Sequence, residues 1–302
     1  MKYVPKEITE EVNTTPVNPL VNLAYLLGTV ALGCVVIYAL LGVVATEIAK
    51  HINPEAEEKI GTLLVQTVPL RKEGAGAEGS SDSRLVYLNE LVASIQSDLE
   101  QAGFESDGYP LVKVGILDTP VENAMVMAGS YLFVTEGLLA EVTSENELAF
   151  VLAHEIGHLY NRDAVTALGR SLVWLSMNAL LGVGQQGGSV VPSAFNLAEL
   201  NYGRGQETAA DDIAIALIQT RYTHGDHSLD FFRRAQSQEP DFGAFGQVAE
   251  WRQTHPLSQS RIQRLEEILR TNGYSLTGEA TPLPENLGCI NLEPCDAAAS
   301  EK

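Results

Sequence analysis

His154 and His158 stand four residues apart in the run His154-Glu155-Ile156-Gly157-His158, a spacing that on an α-helix puts both rings on one face, one turn apart. The neighbours ask for that helix. Glu147-Leu148-Ala149-Phe150-Val151-Leu152-Ala153 lead into the run, and Ile156 and Leu159 continue the apolar pattern, which predicts a helix buried on one side. Ser144 is a candidate N-cap, with Glu147 at the capping-box spacing. Two neutral imidazoles so placed can converge on one tetrahedral zinc ion. Glu155 is rotated off that pair, where it can act as a base on water beside the ion instead of ligating it. Five residues are a short motif, and an incidental helical cluster satisfies the same pattern.

The 302 residues, 45% of them hydrophobic, can bury one good-sized core, a catalytic domain with accessories. Asp and Glu number 39 against 19 Lys and Arg, a formal charge of -20 that argues against nucleic acid as a partner. Leu23 to Ala45 is a run of 23 residues without a charge, long enough to cross a bilayer as a helix. A cleaved leader is the alternative, with Val43-Val44-Ala45 as a small-residue cleavage site. The run exceeds the roughly 7 to 15 apolar residues of such leaders and lacks the polar face of a core helix, which favours a single-pass anchor in the lipid bilayer. Lys2 and Lys6 before the run balance Lys50 and Lys59 after it, so charge does not fix orientation. Cys34 lies within the run, whereas Cys289 and Cys295 sit close together near the C-terminus, either as two thiols or as a small disulfide loop. The disulfide alternative gives a slight lean toward an extracytoplasmic domain, in a periplasm or lumen.

Composition divides the chain into a polar segment 1–22, the anchor 23–45, a juxtamembrane helix and flexible linker 46–83, a folded domain 84–271 and an irregular tail 272–302. The juxtamembrane helix is expected over Glu47 to Glu58, and the linker over Gly74 to Ser83. Helical spacing of Leu85, Leu88, Leu91, Val92, Ile95 and Leu99 predicts a helix from Arg84 to Ala102, stopped by Gly103. Leu111 to Leu117 reads as a strand; Ala124 to Ala128 and Tyr131 to Thr135 read as a hairpin across Gly129-Ser130. A second apolar stretch, Ala164 to Val183, contains Arg170. It fits a helix over the active site or at the membrane surface better than a second crossing.

A zinc ion with two imidazoles needs a third protein ligand and an open fourth place. Glu207, in Gly205-Gln206-Glu207-Thr208-Ala209-Ala210-Asp211, is the candidate, and Asp211 one turn on can accept the outer N–H of a ligating histidine. Taken alone, these acids also fit the solvated start of an amphipathic helix.

The two motifs together resemble the M48 family of zinc metallopeptidases, membrane-associated and periplasmic gluzincins. Asn123-Ala124-Met125, Gly129, Tyr131-Leu132-Phe133-Val134 and Gly137-Leu138-Leu139 are similar to the family's hairpin ahead of the active-site helix. Asn161-Arg162-Asp163, Arg204, His255-Pro256 and Arg261-Ile262 match further family positions, and the resemblance spans roughly Arg84 to Arg270. It implies an α+β, mostly helical zincin-like domain with a small β-sheet, preceded by one transmembrane helix. It also implies one Zn2+ per chain held by His154, His158 and Glu207, with Glu155 activating water and Asp211 supporting a ligand. Asn123, Ala124 and Met125 would lie on an edge strand that pairs with polypeptide substrates. His255 and Arg261 would stand near the metal's open side, helping catalysis by stabilising an oxyanion or holding substrate; a helix-entry histidine and a surface ion pair are their plainer readings. The family's HtpX type carries two membrane helices between the second histidine and the glutamate. This chain has one apolar stretch there, so a single-anchor subtype is expected: a membrane-anchored endopeptidase acting on membrane-associated or misfolded proteins. A zinc-bearing peptide-binding holdase, or a subunit of a membrane-protein complex with a closed site, is the competing expectation.

Overall fold

A computed structural model describes residues 18–66, 68, 82–105, 110–169, 202–237 and 255–288. The uncharged run becomes one helix, α1 (Pro19–Lys50), started by Asn18 Oδ1, which accepts the Leu20 N–H at 3.0 Å. Its stretch Pro19–Ile48 is long and apolar enough to cross a membrane, and none of its most apolar window is buried against protein. The helix expected over Glu47 to Glu58 is instead split. Glu47 to Lys50 finish α1, and α2 (Pro54–Val65) restarts after a break, with Asn53 Oδ1 accepting the Ala56 N–H at 2.7 Å. Pro54 falls in the first turn, where its missing N–H costs no helical bond.

Helix α3 (Ser83–Gln101) buries Leu88, Leu91, Val92, Ile95 and Leu99, the apolar face its spacing predicts. It ends at Gly103, whose φ of 91° lets the Phe104 N–H return to Leu99 O. Strand β1 (Lys113–Leu117) starts two residues later than expected, and Leu111 is exposed. Strands β2 (Ala124–Met127) and β3 (Tyr131–Thr135) form the expected hairpin, with Gly129 and Ser130 both at positive φ in the turn. The strand order is β1-β3-β2, with β1 parallel and β2 antiparallel to β3. This leaves β2 at the edge.

One face of the sheet joins α3 and the long helix α5 (Glu145–Tyr160) in the main core. The short helix α4 (Glu136–Glu141) leads from β3 toward α5. On the other face, Leu117, Met125, Met127 and Phe133 are covered by Leu64, Val65 and Val68, so a layer ahead of Arg84 closes the sheet. Helix α5 is enclosed on all sides rather than one: every residue from Asn146 to Leu159 is buried, among α3, β2 and two later helices, α6 (Arg204–Arg221) and α7 (Asp230–Ser237). Helix α8 (Gln259–Thr271) packs on both of these. Residues 274–288 have no helix or strand yet are docked, with Leu287 buried and Thr281 bonded to the Glu145 N–H and to Asn146 Oδ1. The architecture is thus mostly helical with a small three-stranded sheet.

Residues 163–169 are helical, with Ala164, Val165 and Leu168 buried. The rest of the apolar stretch to Val183, the segment Gly182 to Pro192, most of the linker from Gly74, and Cys289 and Cys295 lie outside the described residues.

Candidate metal centre

Helix α5 starts where Ser144 Oγ accepts the Glu147 N–H at 3.2 Å. The reciprocal half of the capping box lands one residue early. Glu147 accepts the Thr143 N–H and hydroxyl and pairs with Arg234, so it serves the core as well as the cap. About three turns later the helix crosses α6 at Gly157. A Cβ there would lie 2.9 Å from both Cα and O of Ala210, so only glycine permits this approach. The crossing brings Glu207, in the first turn of α6, onto the two histidines.

Four buried side chains, His154, His158, Glu207 and His255, offer one ligand atom each within 4.8 Å of one another. His154 Nε2 and His158 Nε2 are 3.2 Å apart, His154 Nε2 is 3.6 Å from Glu207 Oε2, and His158 Nε2 is 3.4 Å from Glu207 Oε1. Ligands at zinc distances on a tetrahedron are separated by about 3.3 Å, so the spacing fits. His255 is closer in than the open-side reading expects: its Nδ1 lies 3.0 Å from Glu207 Oε1 and 3.3 Å from His154 Nε2, among the converging ligand atoms.

The outer nitrogens of both α5 histidines are held. His154 Nδ1 faces Asp211 at 3.1 Å, and His158 Nδ1 faces Asp163 at 2.8 Å. Such carboxylates leave Nε2 as the ligating atom. Asp163 is in turn held by Gln206 at 2.6 Å, and Tyr202 stacks on the His158 ring at 3.9 Å. Asp163, Gln206 and Tyr202 are absent from the set expected as site residues; the available signal was a carboxylate just beyond the helix that carries both histidines. Arg261 joins Glu207 (2.6 Å) and Asp211 (2.7 Å) and lies 4.9 Å over the Phe232 ring. It braces the acids, and its Nη2 lies 3.5 Å from His154 Nε2, beside the converging ligand atoms.

Burial sets the charges. It pushes Glu155 up to about 8 and, with neighbouring histidines, His255 down to about 3. Burial also pulls on His158, but hydrogen bonds to Asp163 and Glu207 outweigh it and raise the imidazole to about 9. Burial would raise Glu207, yet the facing histidines hold it well below the usual carboxylate range. For Asp211 the same penalty is overcome by Arg261 and His154.

Neither Glu155 oxygen accepts a hydrogen bond from a described residue, and His255 Nε2 lies 3.5 Å from Oε1. The carboxyls of Glu155, Asp163, Glu207 and Asp211 are all buried at or beside the two histidines, and Arg261 pairs with only Glu207 and Asp211 of the four. A bound cation suits both the surplus of acids and the four-atom geometry.

At the sheet edge, the Asn123 N–H donates to Thr135 Oγ1 and Asn123 O accepts the Thr135 N–H. Asn123 Oδ1 is buried with no hydrogen-bond partner among the described residues. Ala124 faces the main core and Met125 the layer under α2, so any substrate pairing here uses backbone groups.

A model of peptidase family M48 matches residues 88–269. The mitochondrial metalloendopeptidase OMA1 of Schizosaccharomyces pombe is 31% identical over 159 residues, 51% of this chain and 45% of that protein. A protease HtpX homolog of Salinibacter ruber is 25% identical over 224 residues, 64% of this chain and 78% of its own. The putative beta-barrel assembly-enhancing protease of Vibrio cholerae is 26% identical over 160 residues, 49% of this chain and 32% of its own. The chain therefore spans less than half the length of two of these relatives. With the match running from within α3 into α8 and enclosing every candidate ligand, the chain belongs to peptidase family M48.

Proposed function

We propose that this chain is a membrane-anchored zinc endopeptidase that hydrolyses polypeptides near the bilayer, with one zinc ion held by His154, His158 and Glu207. The observation that supports it most is the set of ligand atoms separated by 3.2 to 3.6 Å, beside a buried glutamate whose oxygens accept no hydrogen bond from a described residue. Bound zinc would supply a Lewis acid that polarises the scissile carbonyl and acidifies water. Glu155, whose carboxyl is raised by burial in the metal-free protein, would ionise beside bound zinc and could then take a proton from the attacking water and return it to the leaving amine. Asp211 and Asp163 orient the two imidazoles, and Arg261 holds Glu207 and Asp211 in place. Strand β2, which follows Asn123 and stands at one end of the sheet among the described residues, is the edge to which an extended substrate would add. Helix α1 carries the domain on the membrane, with the extracytoplasmic side as the preferred arrangement.

A second reading, a peptide-binding module with a closed site, is favoured by His255 Nδ1 standing among the ligand atoms, where a fourth protein ligand would leave no place for water. Cleavage of an unfolded protein by the full chain, with metal content measured in parallel, separates the two. Wild type holding one zinc and cutting, with Glu155→Gln holding zinc and not cutting, supports the endopeptidase. Retained cleavage by Glu155→Gln refutes the assigned base, and zinc without cleavage in the wild type favours the closed module.

A further inference from the structure

We propose that Glu57, on the helix that follows the membrane-span candidate, is a positioning residue for the metal centre, acting through Arg162 and Asp163 on His158. The inference rests on the zinc reading of the site. Arg162 follows α5 one turn after His158 and adopts a φ of 57°, a left-handed conformation that a non-glycine residue holds only where its surroundings fix it. What holds it is α2 and the break before it: Arg162 Nη2 donates to Ile52 O at 2.7 Å and to Glu57 Oε2 at 2.7 Å. The next residue in the chain is Asp163, whose Oδ2 holds His158 Nδ1 at 2.8 Å. The carboxylate that orients the second imidazole is therefore attached, through one peptide bond, to a residue held by Ile52 and Glu57.

Helix α2 is itself seated firmly enough to serve as the fixed point. Glu57 Oε1 accepts the Gly129 N–H at 3.3 Å, at the turn of the hairpin that carries the edge strand. One turn on, Gly61 presses on the same turn so closely that a Cβ would fall 2.2 Å from Ala128 O. Ile60 and Leu64 close the contact against Ala128, Val165 and Leu168, the last two just beyond Asp163. Glu57 thus ties three separate pieces together: the segment leaving the anchor, the turn of the substrate hairpin and the end of the metal-bearing helix.

The test is the rate at which the zinc-loaded full chain, in detergent or lipid discs, loses metal to an excess of a chromogenic chelator. Removing a carboxylate that directly supports a ligating histidine weakens metal binding by about 10- to 100-fold, so an interaction one step further out is expected to cost less. Arg162→Met and Glu57→Ala should release zinc roughly fivefold faster than wild type, while Arg162→Lys stays within about twofold. Lys113→Gln, which breaks the neighbouring α2 pair with Glu58 and nothing on the route to His158, should release at the wild-type rate. If Arg162→Met or Glu57→Ala fails to fold, Glu57→Gln serves in its place and is expected to show the same direction of change. Release by the folded Arg162 and Glu57 variants within about twofold of wild type overturns the inference while leaving the zinc reading intact. A wild type that holds no zinc overturns the zinc reading, and this inference with it.

Discussion

Gly157→Ala probes how α5 and α6 build the site, because it replaces no ligand and its added Cβ meets α6. The added Cβ would meet Ala210 Cα at 2.9 Å and Ala210 O at 2.9 Å. Carbon atoms in contact prefer about 3.5 to 4.0 Å, so α6 must retreat by about 0.6 to 1 Å. Glu207 lies three residues before Ala210 on the same helix face and moves with it. Ligand distances tolerate only about 0.2 Å, so zinc should bind about 10- to 100-fold more weakly, or about 1.4 to 2.7 kcal/mol. The metal-free fold pays less. Overpacking costs about 1 to 3 kcal/mol, and alanine returns about 1 kcal/mol of helix propensity over glycine. The assay is a zinc titration against a competing chelator, alongside thermal unfolding in EDTA. A folded Gly157→Ala protein that binds zinc as tightly as wild type would refute the claim that this crossing sets the position of Glu207.

Other perturbations separate the remaining roles. Glu155→Gln should keep zinc and lower kcat by about 10²- to 10⁴-fold, measured on a quenched peptide. His255→Ala should keep zinc, since three ligands remain, and should cut at least as fast as wild type; loss of zinc from that variant would make His255 an essential ligand. Asp163→Asn should weaken zinc binding by about 10- to 100-fold with the fold unchanged by circular dichroism. In the metal-free protein His158 is raised to about 9 and holds a proton at pH 7, which zinc must expel. Glu155, pushed up to about 8, is also protonated there, so calorimetry in buffers of different ionisation enthalpy should show between about one and two protons released per zinc at pH 7 and fewer above pH 9, with affinity rising over that interval.

The helix at His154, its N-cap at Ser144 and the stop at Gly103 were legible because each depends on local spacing and capping. Glu207 was legible only beside the histidine pair, because an acid in the first turn of a helix taken alone fits a solvated helix start. What the sequence hid was contact at a distance. Asp163 reads as a polar residue after a helix until folding turns it back onto His158. The family resemblance places Arg261 near the metal, but its contact with two buried acids appears only once α8 is laid against α6. The juxtamembrane segment, with its charges, gave no sign that Gly61 and Leu64 would seal the outer face of the sheet, since a close backbone approach leaves no periodic mark.

The central claim is that three side chains from two crossing helices hold one zinc ion. The zinc K-edge absorption spectrum of the purified full chain tests it most directly. The account predicts one zinc per chain with nitrogen and oxygen ligands only, at about 2.0 to 2.2 Å, and loss of that signal in Glu207→Ala. Sub-stoichiometric metal in the wild type, sulfur in the first shell, or a spectrum unchanged by Glu207→Ala would contradict it.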